Sequence, residues 1–501
     1  MRGRDLDRVS APFLIGIVCE WGIALTNSQQ IDQGPRVDAF RLATVVCIGS
    51  VLWLVPVPVG VDPRGWHLLA VFVATVLGII LRPMPMGATA FVAVAVAVVS
   101  GTLTIAEATA GFGSTVVWLV VAAFFIATAF VKTGLGARIA YHFMHLLGKS
   151  SLGLAYGIVA TDLVLAPAIP SNTARGGGVI YPVLKSLCLS LGSDSAQGTQ
   201  RRIAGFLTFT AYQSVVVTSA MFLTAMAANP LTAELAGQQG IEITWLRWAV
   251  AASVPGMLSL LLVPFLIYRL YPPEITETPE APALAQQRLQ EMGAMCRDEK
   301  ILLMVFVLLL TLWMVGGAIG ISATTTAMVG VAAMLASGAL AWNDILEERR
   351  GWDTLIWFAV LVMMASQLGQ LGLLDWFTDQ VSSLLGDSHW VVAFLSLSLI
   401  YFYSHYFFAS NTAHVSAMYA PFLALALAVG TPPLLAALLL AFFSNLFASM
   451  THYGTAAAPI LFGSGNVDIG TWWKLGAIIS VVNIAIWVGV GSIWWNLLGL
   501  W

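Results

Sequence analysis

A chain that carries one motif twice at a fixed spacing is built from two equivalent halves. Pro170-Ser171-Asn172-Thr173-Ala174-Arg175 returns as Ala409-Ser410-Asn411-Thr412-Ala413-His414, 239 positions later. A second landmark keeps the same distance of 239: Trp118, in Val116-Val117-Trp118-Leu119, and Trp357, in Leu355-Ile356-Trp357-Phe358. Two independent matches at one offset indicate an internal duplication. Polar triplets set once per half between short apolar segments point to a binding site where two membrane repeats meet.

The remainder of the chain has the composition such a site needs. Of its 501 residues 59% are hydrophobic and 9% charged, against roughly a quarter charged in soluble domains. Lipid offers no partner to backbone N–H and C=O groups, so the expected fold is an all-α polytopic membrane protein with spans of roughly 20 residues. A net charge of −3 gives no reason to expect nucleic acid as a partner. Cys19, Cys47, Cys188 and Cys296 are scattered, and imply neither a disulfide framework nor a metal site.

Residues 1–41 read as an N-terminal extension on the cytoplasmic side, its apolar patch (12–25) being broken by Glu20 and too short to span. Full spans are expected at 42–57, 66–82, 85–101, 115–131, 203–228, 246–270, 301–319, 323–342, 354–369, 432–450 and 473–499. Between them lie two split pairs, 152–169 with 177–190 and 390–408 with 414–429, read as re-entrant hairpins with tips at 170–178 and 409–414. The plan is about eleven transmembrane helices plus two hairpins. The polar stretch 271–300 is a cytoplasmic linker between the halves.

Charge placement gives the orientation. Fourteen Lys and Arg fall in the connections placed inside, and only Arg64 and Arg247 in those placed outside, as the positive-inside rule requires. The outer loop before residue 389 holds Asp375, Asp379 and Asp387 and no base. Hairpin one then enters from the cytoplasm and hairpin two from the opposite side, so the repeats are inverted.

Ser171, Asn172, Thr173, Ser410, Asn411 and Thr412 offer uncharged hydrogen-bonding groups. Each triplet sits where a half-helix starts, with free N–H groups and the positive dipole end. Two such ends facing each other suit an anion carrying a carboxylate at both ends. The plainer reading is a pair of helix N-caps, but capping alone does not require both copies inside the membrane at a repeat spacing. Arg175 and His414, two residues after each threonine, stand as charge-compensating groups. Arg175 has a structural alternative, an ion pair with Asp162, and His414 has one as a neutral hydrogen-bond donor. His405 and His452 lie nearby, but on separate segments without the acid or thiol cluster of a metal site. Gly176-Gly177-Gly178 lacks the Lys-Ser/Thr of a phosphate loop and fits close helix packing. Pro182 and Pro421 are expected to break or kink their hairpin arms.

Ala166-Pro-Ala-Ile-Pro-Ser-Asn-Thr-Ala-Arg-Gly-Gly-Gly, Tyr401-Phe-Tyr-Ser-His-Tyr-Phe-Phe-Ala-Ser-Asn-Thr-Ala-His and Thr451-His-Tyr-Gly-Thr resemble the divalent anion:sodium symporter (DASS) family. Within it they are similar to the branch of bacterial citrate/succinate and tartrate/succinate antiporters and the plastid 2-oxoglutarate/malate translocator. The resemblance runs from about residue 42 to the end. It implies a homodimer with scaffold parts (42–145 and 301–388) and elevator-type transport parts (146–270 and 389–501) in each protomer. It also implies that Asn172, Thr173, Asn411 and Thr412 contact substrate carboxylates. In sodium-coupled members each triplet adjoins a sodium ion held partly by a broken span, and the matching regions here are Thr218-Ser219 and Gly454-Thr455-Ala456.

Sodium-coupled relatives keep small or neutral residues where this chain has Arg175 and His414. A tethered cation in each half does electrostatically what a bound sodium does, but cannot leave. The expected function is therefore secondary transport of di- or tricarboxylates (2-oxoglutarate, malate, succinate, citrate or tartrate) across the cell inner membrane. Sodium-independent obligatory exchange is the preferred form, with no cofactor. The alternative is a sodium-coupled symporter of the same fold. A membrane-embedded enzyme would need a nucleophile and base, for which only His405 and Ser410 offer themselves, with nothing to orient the ring. A passive anion channel is the third option, distinguished from a carrier by counterflow.

Overall fold

A computed structural model describes residues 37–373, 376, 380 and 389–501. The extension up to residue 36 and the acidic loop with Asp375, Asp379 and Asp387 lie outside the described residues. Among those described, every regular element is helical. The first half contains α1 (Ala39–Leu54), α2 (Pro63–Leu81), α3 (Met86–Val99), α4 (Thr115–Thr133) and α5 (Leu135–Leu147). Hairpin one follows as α6 (Ser151–Leu165) and α7 (Tyr181–Ser190), then α8 (Ala204–Met221), α9 (Ala228–Gly237) and α10 (Trp245–Leu270). After α11 (Ala281–Met292), the second half contains α12 (Arg297–Val315), α13 (Ala323–Ser337) and α14 (Arg349–Gln370). Hairpin two is α15 (Trp390–Ser404) and α16 (Ala420–Ala428), followed by α17 (Pro433–Leu446), α18 (Ala458–Phe462) and α19 (Ile469–Ala485). The first residues of α6 and α15 are 239 apart, and so are those of α7 and α16. The sequence offset is therefore a structural one.

The eleven expected spans correspond to α1–α4, α8, α10, α12–α14, α17 and α19. Among the described residues seven helices are long and apolar enough to cross a membrane. They are α2, α4, α10, α12 continued to Ile319, α14, α15 continued to Phe407, and α19 continued to Leu497. Helix starts follow local chemistry. Asp38, Asp62, Thr244, Ser322 and Asp468 each accept a backbone N–H of the first turn that follows, satisfying a donor with no partner inside the helix.

The structure adds detail to the expected plan at four places. The span 203–228 stops at Met221; Phe222 is extended (φ −131, ψ 138), a 3-10 turn follows at Leu223–Ala225, and α9 restarts the helix. The second half breaks likewise: after the 3-10 turn Phe447–Ser449, residues 450–457 carry no helix, and α18 begins at Ala458. The connection after 131 is no loop, because α5 buries Leu135, Gly136, Arg138, Ala140 and Met144 on one side and exposes His142 and Leu146 on the other. The linker 271–300 is also partly helical, with α11 packed along α5.

Polar contacts fasten α5 and the linker to the rest of the fold. The guanidinium of Arg138, on α5, donates to Glu299 at the start of α12 (2.7 Å) and to the carbonyl of Gly293 (2.9 Å). An extended piece of the linker binds the base of hairpin one, with Ser151 N donating to Thr276 O (3.0 Å) and Thr278 N to Lys149 O (3.0 Å).

Each hairpin's second arm runs through a wide turn of π type, Thr173–Ile180 and Val415–Tyr419, the latter preceded by one turn of α-helix at Asn411–His414. Pro182 and Pro421 follow these turns at the start of α7 and α16. A proline there withholds the N–H that would close a regular turn onto the residue four positions before it, which leaves the wider turn in place. A Cβ on Gly177 would stand 2.8 Å from Cδ1 of Ile460, and one on Gly176 3.3 Å from Val215. Tip one therefore leans on α8 and on α18 of the opposite half. Gly178 meets no such neighbour.

Candidate functional site

The serines of the two triplets are helix caps. Ser171 Oγ accepts from Ala174 N (3.2 Å) and Ser410 Oγ from Ala413 N (3.4 Å). The capping reading thus describes Ser171 and Ser410, and it leaves the asparagines and threonines free for other partners. Thr173 and Thr412 are half-buried.

The asparagines tie the tips to the broken helices. Asn172, buried, donates through Nδ2 to Thr455 Oγ1 (3.2 Å), and its Oδ1 accepts from Ser219 Oγ (2.8 Å). The first of these bonds joins tip one to the break of the other half. Asn411, also buried, donates to Ser444 O (3.1 Å) near the end of α17. Gly454 lies in the second break with its carbonyl accepting from His405 Nε2 (2.7 Å). A side chain on Gly454 would meet Thr451 Oγ1 at 2.7 Å, so the close approach needs glycine. Thr455 is buried beside it and Ala456 is exposed.

In the first half, Thr218 and Ser219 touch the tip as expected, but from the last turn of α8 rather than from the break. The break's own threonine is Thr224, which donates to Pro167 O (2.6 Å) and accepts from Trp245 Nε1 (3.0 Å). Its signal in the sequence is the pair Thr224-Ala225, matched by Thr455-Ala456 at a spacing of 231. That spacing is eight short of the 239 shared by the other landmarks.

Arg175 is fully buried, and its donors are committed to the protein. Nε donates to Asp162 Oδ1 (2.8 Å), and Nη1 to the carbonyls of Ile169 (2.8 Å) and Ala225 (2.6 Å). Nη2 faces Ser219 Oγ (2.8 Å), Thr218 Oγ1 (3.3 Å) and Val215 O (3.5 Å). The second oxygen of Asp162 accepts from Thr218 Oγ1. Asp162 is thus the structural partner of Arg175, and the two form a closed, net-neutral pair in which all five N–H groups of the guanidinium are engaged.

His414 has a different setting. Its Nε2 lies 3.0 Å from Ser404 Oγ. Ser404 gives its own hydrogen to Tyr401 O (2.9 Å), so it accepts from His414. The ring sits among Tyr401 (centroids 4.7 Å), Phe408 (4.7 Å), Phe447 (4.6 Å) and His405 (5.3 Å). Among the described residues no carboxylate contacts it. His405 stacks on Phe447 at 3.7 Å. His452 accepts from Trp473 Nε1 at 3.0 Å, so the three histidines serve different partners.

Two halves in which a hairpin tip meets a broken helix, within an all-helical membrane fold, define a membrane transporter. Solved transporters share this architecture. MtrF of Neisseria gonorrhoeae, from a class of antimetabolite efflux pumps, superposes with a TM-score of 0.56 at 14% identity, covering 91% of this chain and 93% of that one. The Alcanivorax borkumensis YdaH transporter gives a TM-score of 0.50, also at 14% identity, over 91% of this chain and 97% of that one. At that identity the likeness concerns the fold alone.

The chain belongs to the family described as the sodium:sulfate symporter transmembrane region, whose model matches residues 37–501. This is the divalent anion:sodium symporter family indicated by the paired motifs. A putative malate transporter, YflS of Bacillus subtilis, is 52% identical over 95% of this chain and 100% of its own length. The chloroplastic dicarboxylate transporter 1 of Spinacia oleracea is 47% identical over 92% of this chain and 81% of its own. The inner membrane protein YbhI of Escherichia coli is 37% identical over 92% of this chain and 98% of its own.

Proposed function

We propose that this protein exchanges C4–C6 di- or tricarboxylates across the cell inner membrane without sodium, and that Asn172, Thr173, Asn411, Thr412 and Thr455 hold the substrate. The observation that carries the reading is the surrounding of Arg175. Three carbonyls, two hydroxyls and one carboxylate converge on its guanidinium. Carbonyls at helix breaks are the ligands that coupling cations take in carriers of this build. Here a covalently held cation fills that place, so tip one has no sodium to release. Relatives named for malate and dicarboxylates support the substrate class.

Exchange follows from charge. A dianion carried alone across a membrane works against about 4.6 kcal/mol per 100 mV, from about 2.3 for each charge. Swapping one dianion for another cancels this. His414, buried among rings with no carboxylate beside it, holds no settled charge in the empty site; the arriving dianion is what keeps a proton on it. The transport parts slide past a scaffold that forms the homodimer, moving the tips together. In proteoliposomes, uptake should depend on internal dicarboxylate and be unchanged when sodium is replaced by potassium. Uptake driven by a sodium gradient into liposomes without internal substrate would instead establish the sodium-coupled symporter. That second reading draws on tip two, where the Gly454 carbonyl and Thr455 hydroxyl have no tethered cation between them.

A further inference from the structure

Two buried asparagines from opposite halves are bonded to each other. Asn445 Nδ2, on α17, donates to Asn229 Oδ1, at the start of α9, at 2.8 Å. Both side chains are almost wholly buried, at 0% and 1% exposure. The orientation of the amides is fixed by their surroundings. Asn229 Nδ2 donates to Ser219 O (2.8 Å) and Phe222 O (2.9 Å), carbonyls left free where α8 ends. Its oxygen must therefore face Asn445, which must present nitrogen.

We infer that the Asn229–Asn445 pair is the strut that sets the spacing of the two tips, and so the length of dicarboxylate that the site accepts. The inference rests on the carboxylate reading above. On one side the strut holds the end of α8, where Ser219 Oγ bonds Asn172 of tip one. On the other it holds α17 at Asn445, next to Ser444, whose carbonyl receives Asn411 of tip two. Each tip asparagine is thus one hydrogen bond and a short piece of backbone away from the pair. A hydrogen bond tolerates a narrow range of distance and angle, whereas apolar side chains slide past one another. A polar link in an otherwise carbon-rich helix crossing therefore fixes relative position. Asn445 is the cleaner of the two to alter. Its other contact is within its own helix, to Ala441 O (3.3 Å), and its Oδ1 has no hydrogen-bond partner.

The role is that of a positioning pair, and the test reads selectivity. The full-length protein and its Asn445→Ala variant are reconstituted in liposomes, and kcat/KM is measured for malonate, succinate, glutarate and adipate. The unaltered protein should favour one length. In the variant the ratio between the favoured length and its neighbours should fall at least fivefold, mainly through a higher KM for the favoured acid. Asn445→Asp, of the same size, takes the same measurement if the alanine variant is not recovered from membranes. An equal loss for all four acids, or unchanged ratios, overturns the strut and leaves the carboxylate reading standing. Failure of the unaltered protein to carry any of them, or malate and citrate, overturns both.

Discussion

Asp162 and Tyr401 stand at matching positions 239 residues apart, and each lies against the basic residue of its own tip. Asp162 Oδ1 is 2.8 Å from Nε of Arg175, while the Tyr401 ring lies 4.7 Å from that of His414. Duplication kept the geometry and let the charges diverge. One tip is closed by an ion pair, and the other is walled by aromatic rings.

Removing Arg175 should turn its cage into a sodium site. Arg175→Ala leaves the Asp162 carboxylate, the carbonyls of Ile169, Val215 and Ala225, and the hydroxyls of Thr218 and Ser219 around the vacated space. Without sodium the variant should lose about 3–5 kcal/mol, the usual result of stranding one member of a buried pair. Sodium at about 100 times its Kd should restore about 2.7 kcal/mol. Thermal unfolding of purified protein in sodium or potassium chloride checks this. Equal curves in both salts would refute it.

Asn172→Ala and Asn411→Ala should each lower exchange by at least about tenfold, or about 1.4 kcal/mol, without reducing the amount of protein in the membrane. Labelled dicarboxylate uptake normalised to membrane protein measures the effect. Ser171→Ala and Ser410→Ala remove caps instead, at about 1 kcal/mol each, and should appear first as lower thermal stability.

His414→Gln keeps a hydrogen-bond donor for Ser404 but can carry no charge, so KM for a dianion should rise at least about fivefold, near 1 kcal/mol. Tyr401→Phe retains the aromatic wall and loses only the 2.8 Å bond to Ser444 Oγ. Its KM should stay within about twofold. The concentration dependence of uptake separates the two variants, and equal behaviour would remove the charge role of His414.

Arg138→Met breaks the buried contact between α5 and α12 and strands Glu299, of which 4% of the side chain is exposed. Stability should fall by about 3–5 kcal/mol. The double change with Glu299→Leu should recover most of the loss, because an apolar pair of similar volume replaces a desolvated ionic one. Melting temperatures of the two variants decide it.

Much of this was legible in the sequence because duplication writes the same chemistry twice. The hairpins, the two tips and the Asp162–Arg175 alternative follow from spacing and from the rarity of charge within lipid. The break after α8 lies a few residues beyond Thr218-Ser219 because helix lengths differ between the halves, so Thr224 answers Thr455 at 231 rather than 239. Helix α5 lies outside the expected spans because its polar face lowers the local hydropathy even though its buried face is regularly spaced. The Asn229–Asn445 pair left no motif: it joins residues 216 positions apart, and only the folded chain brings them together.

The bond from Asn172 to Thr455 has a consequence for how such a molecule could have arisen. Tip one finds part of its support on the other half, so the first half does not complete its own tip. Before the gene doubled, a single-length ancestor would have needed two copies lying head to tail in one bilayer. The joining segment would then have made permanent an association that had depended on chance meetings.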